Sequence, residues 1–190
     1  MSGRGGLGIV ELLVGTALAL VVLGALAGAV GTGARVLAAA GARGEVEDAL
    51  QAALESFAFD LRRAGFDPAA AGIPALADAA ADRLTTVADL DGDGVVDGTS
   101  EETTGWVCGG SPPRLSRIVG RQSLPLVDGL GRCELSYLDA AGSAVAVPAA
   151  GLGAADRARV RAVGIALEAR APGLRTPSAR RVAVALRTAP

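Results

Sequence analysis

The 190-residue chain has no histidine, and aromatic residues make up only 3% of it. All of its 18 basic residues are arginine, so lysine is absent as well. Without histidine there is no Ser-His-Asp or Cys-His nucleophilic arrangement and no His-ligated zinc. Without lysine there is no Schiff-base chemistry and no phosphate-binding lysine of the P-loop kind. Twenty acidic residues offset the arginines, and the net charge of −2 argues against a chain that wraps nucleic acid by bulk charge. Large apolar side chains are also scarcer than the 51% hydrophobic share suggests, because 41 residues are Ala. Leaving Ala out lowers that share to about 30%, part of it in one N-terminal run, so the folded core is small. The length suits one domain with an appendage.

The two cysteines, Cys108 and Cys133, lie 25 positions apart. They lack the CxxC spacing of a redox pair and are too few for a metal site. Two readings stand: buried free thiols, or a disulfide if the domain is exported. A bridge across such a loop stabilises by about 3 kcal/mol in the chain-entropy model. Compartment decides between them, and the N-terminus decides compartment.

From Leu12 to Ala34 no residue is charged. A helix of that length spans about 34 Å, enough for a bilayer core of about 30 Å. Arg4 on the short side leaves the N-terminus cytoplasmic by the positive-inside rule and exports the rest. Three readings fit the segment. One is a plain single-span anchor. Another is a Sec signal cleaved after Ala25-Leu26-Ala27, which would leave Gly28 first. The third turns on Glu11, because a carboxylate beside a membrane span asks for a partner. Gly6 followed by Leu7-Gly8-Ile9-Val10-Glu11-Leu12-Leu13-Val14 resembles the class III signal of type IV prepilins. That resemblance implies cleavage after Gly6 on the cytoplasmic side and methylation of Leu7 by a prepilin peptidase/methylase. It also implies a Glu11 that offsets the N-terminal amine of a neighbouring subunit.

Beyond the span, Val46, Leu50, Leu54, Phe57, Leu61 and Ala64 recur at steps of three and four, with charged residues on the other faces. Gly65 follows Arg62-Arg63-Ala64 as a stop signal. This pattern predicts one helix from Leu7 to Ala64, or two with a break near Gly41–Gly44, and its apolar stripe needs a sheet to cover it. Residues 67–83, rich in Ala and Pro, read as a loop with a short helix. Strands follow: Thr103 to Cys108 and Arg114 to Val119 around a GGSPP turn, Arg132 to Leu138, and the alternating runs Val163-Ile165-Leu167 and Val182-Val184-Leu186. The predicted fold class is α+β, a long N-terminal transmembrane and amphipathic helix packed on a small antiparallel sheet. The expected divisions are a leader at 1–6, a membrane or filament-core helix at 7–34, its amphipathic continuation at 35–65, and a β domain at 66–190.

Residues 78–102 hold eight acidic residues and one Arg. Within them, Asp89, Asp91 and Asp93 with Gly94 follow the opening of an EF-hand-type calcium loop, where Asp occupies positions one, three and five and Gly position six. The Val95 carbonyl and Asp97 fill the next two ligand positions. Position twelve is Ser100 and not the usual Glu, so Glu101 and Glu102 are left to close a non-standard site. The expected ligand is structural calcium, bound at about 10⁻⁴ to 10⁻³ M as in extracellular modules. The loop is also similar to one dockerin repeat, but dockerins need two.

The order of these features resembles the minor pilins of type IV pili (PilW-type) and the J-type minor pseudopilins of type II secretion. The stretches that carry the resemblance are the N-terminal motif, Asp60-Leu61-Arg62-Arg63-Ala64-Gly65-Phe66, the Asp89–Gly94 loop with Glu101-Glu102, the hairpin through Leu115-Ser116-Arg117, Cys133-Glu134-Leu135-Ser136-Tyr137-Leu138-Asp139, and the closing strand to Arg187. The resemblance implies a structural subunit and no enzyme. It would be held in the inner membrane by one span with the N-terminus cytoplasmic, then placed in the periplasm or a surface filament. Its partners would be other minor and major pilins or pseudopilins, with no nucleic acid. The alternative is a Sec-secreted or membrane-anchored calcium-binding adhesion module.

Overall fold

The structure, a computed structural model, describes residues 8–170 and 176–187. Gly6, Leu7 and the rest of the expected leader lie outside those residues. The elements in chain order are α1 (Ile9–Arg63), β1 (Leu76–Ala79), β2 (Arg83–Val87), β3 (Thr103–Gly109), β4 (Arg114–Val119), β5 (Gln122–Val127), β6 (Leu130–Leu138), α2 (Ala154–Arg159), β7 (Ala162–Ala169) and β8 (Ser178–Ala185). The chain divides after Ala42 into two units. The division falls inside α1, which runs unbroken through Gly41 and Gly44, so the two-helix alternative does not hold.

In the first unit α1 is apolar on every side. It is long and apolar enough to cross a membrane, and none of its most apolar window is buried. Ile9, Val10, Leu20, Val21 and Val30 are each about 70% or more exposed. Side chains that apolar, left uncovered along several helical turns, match hydrocarbon and not water. The two hydroxyls in this stretch are already satisfied inside the helix: Thr16 donates to the Leu13 carbonyl and Thr32 to the Gly28 carbonyl. In lipid that removes the cost of an unpaired polar group.

The second unit holds the core. Leu50, Leu54, Phe57, Leu61 and Ala64 of the expected stripe are buried and Val46 is half-buried, and Ala53, Ala58 and Asp60 are buried beside them. Gly65 ends the helix with φ +73°, a region open to glycine, and a Cβ there would approach that of Ala75 at 3.1 Å. Its N–H donates to the Val87 carbonyl, which ties the helix end to β2.

Where the sequence pointed to one sheet, there are two, both antiparallel. One has five strands in the order β1-β2-β3-β4-β5, the other three in the order β6-β7-β8. The expected hairpin is β3 and β4, paired from Thr104↔Val119 to Gly109↔Arg114. Residues 67–83 differ from expectation: β1 lies inside them and there is no helix. In β1 the residues Leu76 and Ala79 face the core, an inward pattern that an Ala-rich stretch conceals.

The cysteines form a disulfide, Cys108–Cys133, with Cα atoms 5.6 Å apart. Cys108 is on β3 and Cys133 on β6, so the bridge joins the two sheets covalently. Tyr137 on β6 makes a second connection. Its hydroxyl donates to the Ala80 carbonyl at 2.7 Å and to the Arg83 carbonyl at 3.2 Å, and burial pushes its phenol up. Converting both cysteines to serine is expected to lower stability by about 3 kcal/mol, since the 25-residue loop regains its freedom in the unfolded chain. Urea melts of the oxidised protein and the double variant measure this difference.

Candidate functional site

The acidic loop is held by its own backbone. Asp89 is fully buried, and its carboxylate accepts N–H groups from Gly92 at 2.7 Å and Gly94 at 3.0 Å. Asp91 accepts from the Asp93 N–H, Asp93 from the Val95 N–H, and Asp97 from the N–H and hydroxyl of Thr99. These contacts make a series of side-chain-to-backbone turns, the use to which Asp is best suited in loops. Gly92 and Gly94 both take positive φ, which lets the chain fold tightly around Asp89.

Glu102 closes the loop. It is buried, and its two oxygens accept the N–H groups of Leu90 and Asp97, both at 2.8 Å. The backbone donors at Asp97 and Leu90 hold the Glu102 carboxyl below the usual range. The Thr99 N–H and hydroxyl do the same for Asp97. Each lowered carboxyl favours the charged form, so the loop stays anionic at neutral pH.

Asp89, Asp91 and Glu102 each bring a carboxylate oxygen within 4.8 Å of the other two. Three hard oxygens of that charge are a donor set that suits a divalent cation such as calcium. Asp93, Asp97 and Glu101 bring no carboxylate oxygen into that group. Repulsion among the loop's carboxylates is partly relieved by the amides that point at them, so the loop has a defined shape from the protein alone. Asp67 was not singled out by the sequence, yet it supports the same region. Its carboxylate accepts the N–H groups of Ala71, Gly72 and Ile73, and this holds the segment that lies against Gly92 and Gly94. These backbone donors, Ala71 first, lower the Asp67 carboxyl.

At the other candidate site, Glu11 lies in the first turn of α1, and its carboxylate accepts the Gly8 N–H at 2.9 Å. This is the reach-back half of a capping box, and it places negative charge at the positive end of the helix dipole.

A further polar cluster escaped the sequence reading. Asp60 is buried on the inner face of α1. Arg117 of β4 grips it with two bonds, Nε to Oδ2 at 2.7 Å and Nη2 to Oδ1 at 2.8 Å, and the Trp106 indole N–H of β3 donates to the same Oδ2 at 3.1 Å. The bond to Asp60 raises the Arg117 guanidinium further. By sequence the charged residues of this helix belong on its other faces, and Asp60 corrects that: three positions after Phe57 and four before Ala64, it falls on the inward side by the same spacing as the apolar stripe. No protein-family model matches the chain, and no curated protein matches it.

Proposed function

We propose that the chain is a non-enzymatic structural subunit anchored in the inner membrane, of the minor pilin or minor pseudopilin kind, that primes or caps a filament. The observation that carries this reading is an uncovered apolar helix with a single carboxylate, Glu11, in its first turn. Such a helix is at home in lipid and can also pack against like helices, where small residues at Gly15, Ala19, Gly24 and Gly28 let backbones approach. A disulfide-linked domain following the span agrees with an oxidising, exported location. The sheets would then offer the surface that selects neighbouring subunits.

The test is the mature N-terminus, read by mass spectrometry of membrane-extracted protein. A methylated Leu7 is the expected result. A start at Gly28 would sink the reading and leave a Sec-secreted domain.

Calcium is the proposed ligand of Asp89, Asp91 and Glu102. Calcium at about 1 mM is expected to stabilise the domain by about 0.4–1.4 kcal/mol for a site of extracellular affinity, and so to raise the melting temperature by about 1–5 °C. Asp91→Asn, at an exposed position, should remove most of that response. A melting curve identical in calcium and in chelator would reject the site.

A further inference from the structure

One cavity is lined by no residue of the acidic loop and none of α1. It encloses about 540 Å³, within the range of ligand clefts. One wall is the segment Ile73–Ala77, which leads into β1. The other is α2 and the chain just past β8, with Val160 and Leu186 on the apolar side. Three arginines stand around it: Arg157, Arg161 and Arg187.

Each of the three is steadied by contacts that leave charge to spare. Arg157 donates to the Leu152 carbonyl at 2.7 Å, and Arg161 donates from one nitrogen to the carbonyls of Ala158 and Val160. The Arg187 guanidinium lies over the Phe66 ring at 5.3 Å. A guanidinium has five N–H donors, so most of these remain unused. Among the described residues none of the three has a carboxylate within 4.0 Å, whereas Arg159 next to them is paired with Asp156. Positive charge is thus concentrated, oriented and unmatched around an apolar cleft.

The cleft also lies at a sheet edge. β1 is the terminal strand of the five-stranded sheet. At Ala79 its outer side is covered by the connection before α2, whose Leu152 N–H donates to the Ala79 carbonyl. Past that point α2 continues alongside β1, and the cavity is the gap between them. A strand edge that faces such a gap is a template for another extended backbone.

We propose that this cleft docks an extended, carboxylate-bearing peptide segment of a partner protein, which adds to the edge at β1 and sets its acidic group among Arg157, Arg161 and Arg187. Main-chain pairing gives the segment its direction, the apolar wall takes one or two of its side chains, and the arginines supply charge-assisted bonds. The chain's own acidic loop does not meet this description, because its carboxylates are folded onto their own backbone amides. The proposal is independent of filament membership.

Fluorescence anisotropy with the full chain in non-ionic detergent tests it. The ligands are a labelled decapeptide of alternating Val and Glu, its Gln counterpart, and a version with Pro at alternate positions. Saturable binding of the acidic peptide is expected, about tenfold or more tighter than either control, and weakening with salt. Arg161→Gln with Arg187→Gln should reduce binding about tenfold, while Arg180→Gln with Arg181→Gln, arginines of β8 away from the cleft, should not. Arg161→Lys with Arg187→Lys, which keeps the charge, should retain part of the affinity and shows that loss is not misfolding. Equal binding of the Gln peptide, or no effect of the Arg161 and Arg187 changes, overturns the proposal. So does absence of peptide binding alongside arginine-dependent flotation with phosphatidylglycerol vesicles, which would make the cleft a lipid headgroup site. Concentration-dependent self-association through the same arginines without peptide binding overturns it too.

Discussion

Asp60→Ala should destabilise the second unit by about 3 kcal/mol, toward the low end for removing one partner of a buried ion pair. The figure sits low because the Arg117 side chain keeps 23% of its exposure and can turn part of its charge to water. Trp106 cannot do the same, since it is fully buried and its N–H has Asp60 as its partner. For a unit of this size the loss corresponds to a fall in melting temperature of about 6–12 °C. Arg117→Ala added to Asp60→Ala should change little more, because the charge left uncompensated by the first substitution is then gone. Asp60→Asn, which keeps the shape and one acceptor, should fall between. Melting by circular dichroism decides: an Asp60→Ala protein that unfolds with the wild type would mean the cluster contributes nothing net.

Phe57→Ala is expected to cost about 3–5 kcal/mol. Phe57 is fully buried, and its ring meets that of Trp106 edge to face, with centroids 5.2 Å apart and planes at 83°. Truncation therefore leaves a cavity and removes the aromatic pair together. Phe59, two positions on, is 55% exposed, and Phe59→Ala should shift stability by no more than about 0.5 kcal/mol. The contrast between two phenylalanines on one helix tests whether the inward face is assigned correctly. Because Phe57 and Asp60 both touch Trp106, the double variant should lose less than the sum of its parts. Equal losses at Phe57 and Phe59, measured by urea denaturation, would contradict this packing.

What could be read beforehand follows the strength of the local pattern. The helix stripe from Leu50 to Leu61 and the strands β3, β4, β6 and β7 have large side chains at regular intervals, and burial follows that pattern. β1 was missed because alanine carries little hydrophobic contrast, so two inward positions in four residues leave no period. β5 was missed for another reason: it is a sheet edge, mostly exposed, with Pro125 in its interior beside an irregularity in its pairing with β4, a place where an edge strand tolerates proline. The division into two sheets depends on tertiary pairing that no local window contains. In the acidic loop the spacing identified the acidic residues, but not which of them converge. Glu101 and Glu102 are equivalent in sequence, and only the pairing of β2 with β3 turns Glu102 inward toward Leu90 and Asp97. Asp60 needed knowledge of its partners on β3 and β4, which are 46 and 57 positions away.

The bridge between the sheets has a mechanical side. A chain pulled from both ends lengthens only where its contour is free to extend. Cys108–Cys133 encloses β4 and β5, so the 25-residue separation it spans is withheld from any extension, roughly 85 Å of contour at the reach of a stretched backbone. Under tension β1, β2, most of β3 and the chain after Cys133 can peel away, while β4 and β5 stay inside the closed loop. A domain under load would thus yield in part and keep a closed remnant from which to re-form, and a reducing agent would lengthen its give by that same 85 Å or so.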